Sequence, residues 1–162
     1  MADITQYLNN ILNNIKIDVI NSLQANGQYA TGQTISQLET ITDGDSGQIL
    51  APFWIWALEY GRKPTSPGAA AGDPTLYQSI CVWAAAKGIA EFSTNDKGET
   101  VNVWRAITAY IHKYGYAGKQ GVLTEPLSDD NVNMRINEQM EIFADEQAKE
   151  VLDLINIFET VR

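Results

Sequence analysis

The stretch FWIWALEYGRKPTSPGAAAGDP, residues 53–74, decides how the rest of the chain is read. It opens as a near-continuous apolar and aromatic run, turns at Gly61, carries two cations at Arg62 and Lys63, and then loses all periodicity. Eight apolar-rich residues between Pro52 and a glycine are few for a helix. The run 53–60 is therefore expected to be a strand buried on both faces, or on one face and in an interface. Residues 62–72, rich in Pro, Gly and Ala, form a loop.

Upstream, residues 30–42 (ATGQTISQLETIT) are rich in Thr and Ile and predict a second strand. The DGDSG segment (43–47) reads as a turn, and the two strands are expected to pair as an antiparallel hairpin. Ahead of them, Ile4, Leu8, Ile11, Leu12, Ile15, Val19 and Leu23 recur at helical spacing, predicting a helix over 4–25. Asp3 and Gln6 make a capping-box-like start and Asn26-Gly27 a stop. The polar face of this helix is rich in Asn and Gln, which suits contact with another protein better than open water.

Downstream, Asp73 as N-cap and Pro74 at the first helical position predict a second helix ending at Lys87-Gly88. FSTNDKGET (92–100) is turn-rich. A third helix is expected from about Val101 to Tyr114, and residues 115–126 are expected to be extended. Ser128, Asp129 and Asp130 offer caps for a final helix over about 130–160, some ~45 Å long. Its stripe runs through Ile136, Met140, Phe143, Ala144, Ala148, Val151, Leu152, Ile155 and Phe158. A helix of that length on a small domain implies that part of its face packs on a neighbouring subunit. The whole is expected to be one α+β domain over residues 1–162, a small, mainly antiparallel sheet with long terminal helices.

Charge is distributed unevenly. The net charge is -9, with residues 1–60 at -5, residues 61–119 at +3 and residues 120–162 at -7. The acidic balance opposes general nucleic-acid binding. Opposite-sign regions on one chain also suit head-to-tail association of identical copies, alongside the plainer reading of a solvated surface. One cysteine excludes an internal disulfide and points to synthesis in a reducing compartment. No signal peptide or membrane span is read.

Catalytic chemistry finds little support. Cys81 and His112 are the only residues of their kinds, and a zinc site ordinarily needs three or four such ligands. Cys81 reads as a small core residue, and His112 as a surface or interface one. The acidic pairs Asp129/Asp130 and Asp145/Glu146 read as capping groups and a solvated face. Gly68, Gly72, Gly115 and Gly118 fit neither phosphate-loop nor dinucleotide spacing. Trp54, Trp56, Trp83 and Trp104 suit core or interface packing better than stacking on bases.

The order of features carries a resemblance: an amide-rich N-terminal helix, Thr31-Gly32, WALEYGRKP (56–64), YIHKYG (110–115), VLTEPL (122–127) and a long final helix. The chain resembles the tail-completion or head–tail-joining proteins of tailed bacteriophages. That resemblance rests best on Glu59, Tyr60 and Gly61, and less on Thr31 and Gly32. It implies a structural, non-enzymatic virion protein without a cofactor, made in the host cytoplasm and residing at the head–tail junction. It also implies a homo-oligomeric ring between portal-side and tail proteins, with at most passive contact with DNA in a channel. Arg62 and Lys63 would then start a loop projecting from the sheet edge to engage a neighbour, so Glu59, Tyr60, Gly61, Arg62 and Lys63 are the candidate interface. The alternative is a small acidic protein that inhibits a host nucleic-acid enzyme by mimicking phosphate charge.

Overall fold

The N-terminal helix α1 (Ile4–Ala25) forms as its periodicity predicts, burying Tyr7, Leu12, Ile15, Val19 and Leu23. In this computed structural model the described residues are 4–28 and 31–160, with side-chain surroundings as far as residue 153. The cap predicted at Asp3 and the start of the predicted strand at Ala30 lie outside them. The chain continues through α2 (Gln33–Ser36), β1 (Glu39–Asp43), β2 (Ser46–Leu50), α3 (Ile55–Tyr60) and α4 (Leu76–Ala86). Then come β3 (Phe92–Thr94), β4 (Thr100–Asn102), α5 (Val103–Tyr114) and α6 (Asp129–Thr160). The α+β class and the long terminal helices stand as expected.

Two strand expectations do not hold. Residues 53–60 are not a strand: Ile55–Tyr60 is a short helix that ends at Gly61 with φ 77°. A strand would line Ile55, Ala57 and Glu59 along one face and Trp56, Leu58 and Tyr60 along the other. The helix instead sets Ile55 and Glu59, one turn apart, inward and leaves Trp56 and Tyr60 outside, stacked on each other with ring centres 6.0 Å apart. Tertiary contacts to Ile55, Leu58 and Glu59 hold a helix too short to persist alone. Residues 39–43 accordingly pair with 46–50 rather than with 53–60, in antiparallel register from Glu39↔Leu50 to Asp43↔Ser46. The earlier half of the predicted strand is helical at Gln33–Ser36.

Smaller differences follow from capping. Thr75, not Asp73, caps α4, in a reciprocal capping box with Gln78. Asn102 caps α5 by accepting from the Arg105 amide at 2.9 Å, so that helix starts at Val103 and Thr100–Asn102 pairs with Phe92–Thr94. Of the segment expected to be extended, residues 115–119 carry a bridge at Tyr116 and no turn, whereas 120–126 are folded into turns.

The amide-rich face of α1 meets the chain itself and not, as expected, another protein. Thr42 and Thr40 of β1 donate to Asn9 and Asn13 at 3.0 and 3.2 Å. Asn10 donates to Gln139 of α6 at 3.1 Å, and Asp18 takes a bidentate pair from Arg135 at 2.7 and 2.8 Å. Tyr7 donates to Glu146 and meets Phe143 edge-on. These pairs run antiparallel, so α6 lies along α1 through a seam that is mostly polar. Gly47 lets the hairpin close on α1, since a Cβ there would come within 2.4 Å of Leu12.

The buried cluster of Val19, Leu23, Leu38, Ile55, Val122 and Leu123 sits where α1, α3 and the 115–128 segment meet. Its closure depends on backbone-to-backbone approach. Arg62 and Tyr116 exchange amide hydrogen bonds at 2.8 and 2.9 Å, and Lys119 donates to the Leu58 carbonyl at 2.9 Å. A Cβ on Gly61 would lie 2.1 Å from the Tyr116 carbonyl oxygen, and one on Gly115 2.0 Å from that of Arg62. Gly61→Ala is therefore expected to cost clearly more than Gly44→Ala, a residue of similar positive φ with open space around it. Positive φ should cost Gly44→Ala about 1–2 kcal/mol, whereas Gly61, at φ 77° and ψ -165°, sits in a region nearly closed to any residue with a Cβ. Urea denaturation should show roughly 2 kcal/mol or more of additional loss for Gly61→Ala from that backbone conformation and the clash with Tyr116 together. Equal losses would mean that the two segments are not locked together.

Candidate interaction surface

Glu59 anchors the region that carries the candidate interface. Its side chain lies inside the fold, with the residue 2% exposed. One carboxylate oxygen accepts from the Gly121 amide at 2.9 Å and the Thr124 hydroxyl at 2.8 Å; the other accepts from the Leu123 amide at 2.7 Å. Burial pushes the Glu59 pKa up, but these donors outweigh it and hold the carboxyl below its usual range. Glu59 is thus a positioning group for the turn that delivers Val122 and Leu123 to the core. Enclosed and saturated by its own chain, it has no free face for a partner or substrate.

The other candidates lie around it. Gly61 is the close-approach position described above. Tyr60 is 64% exposed and stacks on Trp56 on the outer side of α3. Arg62 is half-buried, its guanidinium donating to the Thr65 hydroxyl at 3.2 Å. That hydroxyl is 2.7 Å from His112 Nδ1, and the Thr65 amide donates to the His112 carbonyl at 2.9 Å. The base of the 62–72 loop is therefore tied to α5, and of the two cations Lys63 is exposed and Arg62 half-buried. Thr31 and Gly32 precede α2 and line the same groove as the loop.

That groove escapes the sequence reading. It has a volume of about 1260 Å³ and lies between the α2–α3 region and the α4–α5 pair, with residues 69–74 along one side. Its walls include Trp54, Leu58, Ile80, Trp83, Ile107 and Ile111. A shallower dimple of about 350 Å³ adjoins it and is lined by Tyr77, Arg105, Thr108, Ala109 and His112. The sequence signal was the apolar run SICVWAAA on α4, apolar nearly all round, which requires cover on more than one side. Within the chain, α4 packs chiefly on α5 and leaves Val82 and Trp83 56% and 39% exposed.

Comparison with family models, with curated proteins and with solved structures gave no match. The site is therefore judged on its own chemistry. Cys81 is half-buried on α4, and His112 is exposed on α5. No group of three or more His, Cys, Asp or Glu side chains is placed to hold a metal among the described residues. Asp129 and Asp130 stand in the first turn of α6, where the helix dipole favours them. No described helix is long and apolar enough to cross a membrane.

Glu59→Gln should destabilise the fold by roughly 2–3 kcal/mol, because the amide nitrogen cannot accept from the buried donors. The pH dependence follows from the lowered folded-state pKa. Its contribution is fully present above the unfolded value near 4.3 and is lost as pH falls through the folded value. Denaturation of wild type and Glu59→Gln from pH 7 to 2 should show the gap between them narrowing below about pH 4. A gap independent of pH would remove the charge from this account.

Proposed function

We propose that this chain is a structural virion subunit of a tailed bacteriophage. In this reading it forms a homo-oligomeric ring at the head–tail junction that joins the portal-side assembly to the tail. The observation that carries the assembly part is the surface the isolated subunit leaves uncovered. Its accessible area is 11410 Å². A compact monomer of 17.9 kDa is expected to expose about 8,000 Å². The uncovered surface includes Trp56, Tyr60, Val82, Met140, Val151 and Leu152, each more than half exposed. Single exposed apolar residues are ordinary, but so many on one small chain favour burial against further copies.

The virion part rests on the resemblance carried by Glu59, Tyr60 and Gly61. The structure supplies a physical reason for that phrase: Glu59 fixes the turn containing VLTEPL, and Gly61 permits the backbone contact beside it. Two separated sequence signatures of the resemblance are thus one interlocked unit.

Native mass spectrometry and negative-stain microscopy of the full chain should give closed cyclic assemblies. Particles purified from the source phage should contain the chain at the neck by immunogold labelling. A chain that stays monomeric at high concentration and is missing from particles would defeat the reading and return the phosphate-mimic inhibitor to first place. Lys63→Glu combined with Lys113→Glu, both at exposed sites, should cost about 1 kcal/mol of stability, mostly from Lys113, which lies over the Tyr114 ring in the last turn of α5. The same pair should weaken ring formation, more at low salt than at high salt. Unchanged assembly at low salt would remove the cationic face from the contact.

A further inference from the structure

We propose that the groove between α3 and the α4–α5 pair receives the distal part of α6 from a second copy, so that subunits associate head to tail. The inference rests on the ring reading and names its contact. Its first support is the reach of α6. Tyr7 lies beside Phe143 and Glu146, and Asp18 beside Asn131 and Arg135, so α1 begins level with the turn of α6 that follows Glu146. From there α6 continues to Thr160 beyond the start of α1. At the beginning of this overhang Val151 and Leu152 are 55% and 59% exposed.

The groove suits that occupant in size and lining. At about 1260 Å³ it exceeds the few hundred to 1,000 Å³ usual for small-molecule pockets, and its walls are largely aliphatic and aromatic. An amphipathic helix laid into an apolar groove is a recurrent mode of recognition. Charge decides which copy-to-copy contact is favoured. Between Asp129 and Asp153, α6 carries eight acids and two bases, and Glu150 and Asp153 flank the exposed pair. Pairing two α6 helices would set acids against acids. The groove offers Arg62 in its wall and Arg105 in the adjoining dimple, with Asp73 the one acid among its described lining residues. Because groove and overhang are different surfaces of one chain, the contact is heterologous and closes into a ring when its rotation permits.

The test uses two variants of the full chain. Val151→Asp with Leu152→Asp alters the overhang; Val82→Glu, at a groove position 56% exposed, alters the receiving side. Each should keep the wild-type circular dichroism spectrum and raise the concentration for half-assembly by at least about tenfold. Mixed together they retain one intact contact and should yield pairs but no rings. Wild-type-like rings from both variants would overturn the contact and leave the ring reading standing. A wild-type chain that stays monomeric would overturn both. A two-fold dimer indifferent to Val82→Glu would identify paired α6 helices instead and overturn the proposal. A second measurement covers poor folding of either variant. In a Cys81→Ala background, copies carrying Leu152→Cys and Val82→Cys should form a mixed disulfide on oxidation. An assembling mixture that forms none would overturn the contact.

Discussion

The carboxylate of Glu59, held by two backbone amides and a hydroxyl from the 121–124 turn, is the contact on which the rest of the subunit depends. A buried carboxylate is tolerated only where nearly all its acceptor capacity is used, and here the donors come from a segment more than sixty residues away. The same contact brings Val122 and Leu123, 0% and 2% exposed, against Val19, Leu23 and Ile55. Gly61, Gly115 and Gly118 follow from it, because two backbones drawn so close leave no room for side chains between them.

Around that centre the chain is held by polar seams more than by a broad apolar core. The contact of α1 with α6 consists largely of Asn–Gln, Asp–Arg and Tyr–Glu pairs. Arg135 hydrogen bonds hold the Asp18 carboxyl below its usual range despite partial burial. Such a seam fixes register well, since each partner has one matching position along the helix. It leaves the apolar stripe of α6 turned aside, with Ile136, Met140, Val151 and Leu152 all 37% exposed or more. On the proposed reading, that division lets one helix serve its own subunit with its polar edge and a neighbour with its apolar one.

The four longer helices, α1, α4, α5 and α6, were legible because their apolar patterns are sustained and the first three stop at glycines. α1 and α6 lie within a residue or so of their expected bounds, and α5 within two at its start. What was not legible was decided by contacts distant in sequence. FWIWALEY has the composition of a buried strand, and only Glu59 marks it as something else. An acid in a strand buried on both faces has nowhere to find donors, whereas on a helix it can reach across to another segment's amides. The amide-rich face of α1 was legible as a covered face, but the expected cover, another protein, was wrong: its partners Thr40, Thr42 and Gln139 belong to the same chain, in elements whose placement no local pattern specifies. The groove was invisible for the same reason, being made by the relation of α3 to α4 and α5.

The Arg62–Tyr116 bridge makes everything between those residues an excursion that leaves and re-enters the structure at one point. The excursion holds α4, α5 and the β3–β4 hairpin, and α4 and α5 form a pair of their own. Described ties back to the main body include the Lys87 ammonium on the Gly27 carbonyl at 2.8 Å. Loop-closure entropy rises only with the logarithm of length, about 0.6 kcal/mol for each doubling. The size of such an excursion is therefore nearly decoupled from the stability of the body that carries it. Insertions or deletions within it would alter the walls of the groove while leaving the Glu59 contact intact, so on the proposed reading the choice of neighbour can drift over generations without unmaking the fold.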